Sequence, residues 1–287
     1  MKQRLISAAI GIPLLLAVIF LTPIWAFGIV LGAICAVIAV EFVLATRSAF
    51  HLRMVIYCAS SAFLIPFLSG LLTNPVSGLF VAVLLLLILF TEALLAYETP
   101  RAFPFSFICL GFFAGAIIPL LLSTMVILRV IPTFLPHIGG GFFFDGRAYV
   151  LIPITVAFLS DAGGYFGGYF FGKRKLIEKI SPKKTVEGAL GSFVVTTLAM
   201  FIYCIVMIIA FDNVSFSFLA VLLYGTFGSA VTQLGDLSFS FIKREYGIKD
   251  FGNLIPGHGG MLDRLDSMIF VAPFLTALIF WLPMFLQ

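Results

Sequence analysis

The amino-acid sequence predicts an all-α polytopic integral membrane protein, with about nine transmembrane helices and a polar cavity facing the cytosol. Three observations carry this expectation. Hydrophobic residues make up 62% of the 287, charged residues only 10%, and mean hydropathy is +1.18, whereas soluble domains are roughly a quarter charged. The apolar residues fall into runs long enough to cross a hydrocarbon core as helices. The charged residues collect in short connecting segments and in one dense stretch, Ser240 to Asp266.

The runs are Leu5 to Leu21, Ile24 to Ala45, Met54 to Leu72, Val76 to Ala96, Phe105 to Ile127, Ala148 to Phe171, Gly188 to Phe211, Ser215 to Ile242 and Leu262 to Phe285. Lys2 and Arg4 before the first run mimic a secretory signal peptide, but no small-x-small cleavage site follows, so this run is expected to be retained. Pro23 and Trp25 mark a tight turn before the second run. Prolines 13, 66, 119 and 153 lie inside runs, where neighbouring helices can satisfy the freed backbone groups. Glu41 and Glu92, near the ends of runs two and four, can hydrogen-bond between helices. The four cysteines, at 35, 58, 109 and 204, have no metal-ligand spacing and read as small buried apolar residues.

Orientation follows from the basic residues. With the amino terminus in the cytosol, all but Arg129 and Arg147 of the 17 Lys and Arg residues fall at that terminus or in loops after even-numbered spans. The positive-inside rule selects this topology. The chain is therefore expected in the cell membrane, multi-pass, with residues 1–147 as an amino-terminal group of about five spans and residues 148–287 as a site-bearing region whose loops 172–187 and 243–261 face the cytosol. The net charge of +4, gathered on that face, suits anionic lipid headgroups and phosphorylated ligands. Nothing in the pattern suggests a nucleic-acid partner.

The eighth run, if helical, is roughly 42 Å long against a hydrocarbon core near 30 Å. Ser229, Gln233, Asp236, Ser240 and Lys243 follow three- and four-residue steps and form one polar stripe, which must face protein or water. Asp236 lies about 10 Å along the axis from Lys243, inside the membrane boundary, and needs a cation or a basic partner there. A structural pair with Lys243 or another basic residue is the plain reading; a site is the sharper one. Beyond Lys243 and Arg244 come Lys249, Asp250, the turn Pro256-Gly257-His258-Gly259-Gly260, and then Asp263, Arg264 and Asp266. Asp263 and Asp266 are three apart and suit the positive end of a starting helix, as caps or as ligands. Glycines in the turn let the backbone approach a ligand, and its amides can receive phosphate oxygens.

Asp161 is a second acid deep in an apolar run, followed by Gly163, Gly164, Gly167, Gly168 and Gly172, whose spacing is a helix-contact pattern. Glycine-lined faces also permit a homodimer. The loop Ser181-Pro182-Lys183-Lys184-Thr185 offers two lysines and two hydroxyls to a polyphosphate, although a cytosolic loop is basic in any case. Tyr165 and Tyr169 are expected to pack or to sit at the interface.

In order and identity, the residues from Gly235-Asp236 through Ser240, Lys243-Arg244, Lys249-Asp250 and Pro256 to Asp266 resemble the phosphatidate cytidylyltransferase (CDP-diglyceride synthetase) family, with no departure from its pattern. Ser160 to Tyr165, Phe171 to Lys173, Ser181 to Gly188 and the opening Lys2 to Ala8 are similar to it as well. The resemblance implies an enzyme that joins CTP and phosphatidate to make CDP-diacylglycerol and pyrophosphate for phospholipid biosynthesis. It implies a magnesium centre on Asp236 and Asp263, with Asp161 and Asp266 as further candidate ligands and a second cation in the site. A nucleotide-bound magnesium needs only one or two protein carboxylates. Lys243 and Arg264 would act in catalysis, with His258 as a phosphate contact; Lys183, Lys184, Thr185, Ser240, Arg244, Lys249, Gly259 and Gly260 would bind the nucleotide. Fixed cations would stabilise charge developing on the phosphates.

The nearest rival is a CTP-dependent polyprenol or phytol kinase, which would pass on the γ-phosphate. An ion transporter is a rival of another class, since intramembrane aspartates and broken helices also mark ion paths. A CDP-alcohol phosphotransferase is disfavoured, because Asp145-Gly146-Arg147-Ala148 only superficially resembles its Asp-Gly-x-x-Ala-Arg stretch.

Overall fold

The computed structural model describes residues 2–46, 52–74, 76–100, 102–134, 146–210, 215–254, 257 and 259–286; Arg47, Arg101, Asp145 and Phe211 lie outside them. Long apolar runs leave the backbone no polar partner but itself, and they form helices. In chain order these are α1 (Lys2–Leu21), α2 (Ile24–Ala45), α3 (Leu52–Leu72), α4 (Val76–Ala96), α5 (Phe105–Phe112), α6 (Ile118–Phe134), α7 (Gly146–Phe171), α8 (Val186–Ala210), α9 (Phe218–Glu245) and α10 (Leu262–Trp281). A π-helical turn, Phe113–Ile117, joins α5 to α6 into one span. Eight helical segments among the described residues are long and apolar enough to cross a membrane, and α1 adds the shorter apolar stretch Gly11–Leu21. The protein is an all-α polytopic membrane protein.

The chain forms two compact units, Met1–Ile127 with Tyr246–Leu265, and Leu128–Glu245 with Asp266–Gln287. In the first, α2 and α3 touch backbone to backbone: a Cβ on Gly28 would lie 2.8 Å from the Pro66 carbonyl, and one on Gly70 2.9 Å from that of Ile24. Ile65 of α3, Leu85 and Leu89 of α4, and Ile108 of α5 make an apolar core beside this contact. Tyr57 near the start of α3 donates to Glu92 near the end of α4 at 3.0 Å, the expected interhelical role for that acid. The turn between α3 and α4 is held by Asn74, whose side chain accepts from Val76 N at 2.9 Å.

In the second unit, α7 and α8 pack through their glycines. A Cβ on Gly163 would come within 2.9 Å of the Gly191 carbonyl, and one on Gly191 within 2.8 Å of that of Gly163. Here small residues serve close helix approach. Between the two helices the expected basic loop is an antiparallel hairpin, β1 (Lys175–Ile177) with β2 (Ser181–Thr185).

The eighth and ninth runs differ from expectation at their ends. Ser215–Phe216 is a strand, β3, paired antiparallel with β4, Phe285–Leu286, so α9 starts at Phe218 and α10 stops at Trp281. Ser217 explains the later start: its hydroxyl accepts from Ala220 N at 3.3 Å, a side-chain cap. Cys35, Cys58 and Cys204 are buried as expected, but Cys109 is exposed on α5.

Within each unit, contacts join segments that an alternating topology puts on one side. Glu41 near the end of α2 meets the backbone at the start of α10, and Tyr57 meets Glu92. In the second unit, Arg244 at the end of α9 donates to the Ile180 carbonyl of the hairpin at 3.3 Å, while β3 and β4 pair on the other side.

Candidate active site

The polar stripe of α9 is turned onto protein. Ser229 is fully buried and shares a 3.0 Å hydrogen bond with Ser160 of α7; Gln233 donates to Ser229 at 3.3 Å and to the Ala189 carbonyl of α8 at 3.4 Å. One turn further, Ser240 donates to one oxygen of Asp236 at 3.3 Å. The other oxygen receives Lys184 Nζ of β2 at 2.6 Å, with both side chains 27% exposed. The basic partner that Asp236 requires thus comes from the hairpin, not from Lys243 on its own helix.

The hairpin is tied down at its base. Glu187, in the first turn of α8, accepts from Lys173 N at 2.9 Å and Arg174 N at 3.1 Å. Thr185 accepts from Gly188 N at 3.1 Å, which makes it the amino-terminal cap of α8. Thr185 therefore has a structural task whatever it does for a nucleotide. Lys183 stands exposed beside it, and Arg244 reaches the hairpin from α9. Lys243 is buried.

Asp266 of α10 is buried as well, and one of its oxygens accepts from Ser267 N at 2.8 Å. The charges of Asp236, Lys243 and Asp161 all act on it, so these four groups share one electrostatic neighbourhood, with Asp161 exposed on α7. The backbone of Gly235 lets α9 approach here: a Cβ there would lie 3.1 Å from the Asp266 carbonyl oxygen. Among the described residues no three His, Cys, Asp or Glu side chains converge as a ready-made metal cage.

The first unit holds the glycine-rich turn. Asp263, buried in the first turn of α10, accepts through a single oxygen from Phe251 N at 2.9 Å and Gly260 N at 3.0 Å. Gly257 and Gly259 have φ of 76° and 83°, the left-handed region where glycine costs least. Glu41 of α2 accepts from the next two amides, Met261 N at 3.0 Å and Leu262 N at 2.9 Å. The Gly260, Met261 and Leu262 amides thus donate to side-chain carboxyls of the protein. Lys249, Asp250 and Arg264 are exposed around the turn. His258, expected as a phosphate contact, lies outside the described residues.

Sequence reasoning missed the weight of Glu41. It stands outside the dense polar stretch, and its signal was only that of a lone acid near the end of an apolar span. Gly252 and Gly260 carried the complementary hint, since a Cβ on Gly260 would lie 2.5 Å from a Glu41 oxygen and one on Gly252 would collide with the same carboxyl.

The model of the cytidylyltransferase family matches residues 2–282. The phosphatidate cytidylyltransferase of Bacillus subtilis (strain 168) is 43% identical over 134 residues, 47% of this chain and 48% of that protein. That of Staphylococcus haemolyticus (strain JCSC1435) is 40% identical over 152 residues, and that of Staphylococcus aureus (strain COL) 39% over 153, each covering 50% of this chain and 55% of the relative. The aligned part of the chain spans about half the length of the curated relatives it matches. With the family pattern running through nearly every helix, the chain belongs to the cytidylyltransferase family.

Proposed function

We propose that this protein transfers the cytidylyl group of CTP to phosphatidate, giving CDP-diacylglycerol and pyrophosphate. The observation that carries the reading is the ion pair between Lys184 and Asp236: a basic hairpin held onto a carboxylate inside a membrane span brings water-soluble polyphosphate chemistry to the depth of a lipid headgroup. The relatives, named as phosphatidate cytidylyltransferases, support the choice of substrates.

The reaction asks little proton chemistry of the chain. An oxygen of the lipid phosphate attacks the α-phosphorus of CTP in line; that bond forms as the bond from the α-phosphorus to the bridging oxygen breaks, and pyrophosphate leaves. The attacking phosphate is already ionised near neutral pH, so no general base is required. The task of the chain is positioning and charge. Lys183, Lys184, Lys243, Arg244, Lys249 and Arg264 would neutralise phosphate oxygens, and fixed charge of this kind usually contributes most to the acceleration of such transfers. Thr185, Ser240, Gly259 and Gly260 would line the nucleotide side.

Magnesium is the proposed cofactor. The donors suit it: carboxylates on Asp236, Asp263, Asp161 and Asp266 are hard oxygen ligands, and an ion that arrives with nucleotide phosphates and keeps several waters needs only one or two of them. When bound, it would offset charge on the phosphates of CTP and on the leaving pyrophosphate. Asp236 and Asp263 are the proposed principal ligands. The active site is proposed to face the cytosol, with a polar cavity that lipid enters from the bilayer; the skew of Lys and Arg supports that orientation.

The test is product analysis with purified protein in lipid micelles, given magnesium, CTP labelled separately at the α- and γ-phosphates, and either phosphatidate or a polyprenol. Alpha label in lipid with pyrophosphate released is expected. Gamma label in lipid with CDP released would make the protein a kinase, and no transfer at all would favour transport.

A further inference from the structure

The start of α10 is built on a side chain from the far end of the sequence. Both oxygens of Glu41 accept backbone hydrogen bonds, Oε1 from Met261 N at 3.0 Å and Oε2 from Leu262 N at 2.9 Å. These are orphan donors of a starting helix, groups that a local Ser, Thr or Asp usually satisfies. Asp263, in the first turn of α10, accepts instead from Phe251 N and Gly260 N through Oδ2. Glu41 is nine-tenths buried, and the glycines around it leave the room it needs: side chains at Gly252 or Gly260 would occupy the position of its carboxyl. Next along α2, Phe42 stacks on Phe251 with ring centroids 5.8 Å apart. The segment from Phe251 to Leu262 is therefore gripped from α2 at both ends, by an aromatic contact and by a carboxyl.

We propose that Glu41 is a positioning residue for cytidylyl transfer, holding the Phe251–Leu262 segment, and with it Asp263, in the geometry the reaction needs. The inference rests on the function proposed above. Glu41 touches no substrate in this scheme; its effect passes through the backbone amides and the Asp263 carboxyl. Misplacement of a catalytic group by about 1 Å can lower turnover on the order of a hundredfold, and Glu41→Gln removes one of two charge-assisted acceptors while keeping size and shape.

The experiment compares wild type, Glu41→Gln, Glu41→Ala and the control Glu92→Gln, all as purified full-length chains in micelles. Two readouts are taken: kcat and KM for CTP with phosphatidate, and backbone amide exchange along the chain by mass spectrometry. Glu92→Gln alters a comparable interhelical hydrogen bond in the same unit, to Tyr57, and should leave turnover near wild type. The expected result for Glu41→Gln is a kcat lower by about tenfold or more, a KM for CTP changed less than about threefold, and faster exchange confined to residues 251–265, with Glu41→Ala more severe. Unchanged kcat in Glu41→Gln would overturn the proposal. So would faster exchange spread over the whole chain, which would make Glu41 a general stabiliser. If wild type itself transfers no cytidylyl group, the proposed function fails; unchanged local exchange in Glu41→Gln would separately remove the grip of Glu41 on the segment.

Discussion

At the scale of single residues, the pairing of Lys184 with Asp236 separates stability from activity. Both side chains are partly exposed, so the 2.6 Å contact is expected to contribute no more than about 1 kcal/mol to folding. Its value in the proposed reaction is larger, because a fixed cation aimed at phosphate is commonly worth about a hundredfold or more in turnover. Lys184→Ala should therefore cut kcat by roughly that factor while moving the thermal midpoint by only about 1–3 °C. A fall in the midpoint well beyond this, measured by thermal unfolding in micelles, would make the pair mainly structural. Lys183, exposed on the same strand, should behave differently: Lys183→Ala should raise KM for CTP several-fold with little change in kcat. Asp236 and its stripe were legible in the sequence because a three- and four-residue spacing is a property of one helix. Its partner was not, since the path of the chain from β2 through α8 to α9 cannot be folded by counting; the residue that approaches depends on where the hairpin turns.

At the scale of elements, the α7 and α8 contact shows why glycines crowd one face of each helix. A side chain on Gly163 or Gly191 meets opposing backbone at 2.9 and 2.8 Å, which neither helix can yield without separating. Overpacking of this kind typically costs about 1–3 kcal/mol. Gly191→Val should lower the thermal midpoint by several degrees and weaken activity as the hairpin moves with α8. Gly11→Ala, at a site where nothing lies within 4 Å, should do neither. Both are checked by unfolding and turnover on the same preparations. The four-residue glycine repeat was legible as a contact pattern; that it joins the two helices flanking the hairpin was not. Likewise the strands β3 and β4 were hidden inside apolar runs, because a two-residue strand leaves no periodicity to read.

For the whole molecule, the alternation of sides is the quantity to test. The orientation proposed from the skew of basic residues would put the hairpin after α7 in the cytosol and the turn between α3 and α4 outside. In sealed right-side-out vesicles, an impermeant maleimide should label Asn74→Cys and spare Glu178→Cys until the membrane is opened. Labelling of Glu178→Cys first would invert the topology and remove CTP, a cytosolic nucleotide, from reach of the hairpin. The native cysteines lie in spans and should contribute little background.

Composition, apolar run length and the distribution of charge by themselves determined the class of the protein and the number of spans to within one among the described residues, and they marked the two polar stretches proposed as the site. These are local or summed properties, and the cost of burying backbone or charge in hydrocarbon makes them nearly independent of detail. Only the tertiary structure decided the partners: Lys184 for Asp236, the α8 cap for Thr185, and Glu41, 220 residues away, for the amide that opens α10. A hydrogen bond is set by a few tenths of an ångström between groups distant in sequence, and no periodicity along the chain encodes that meeting.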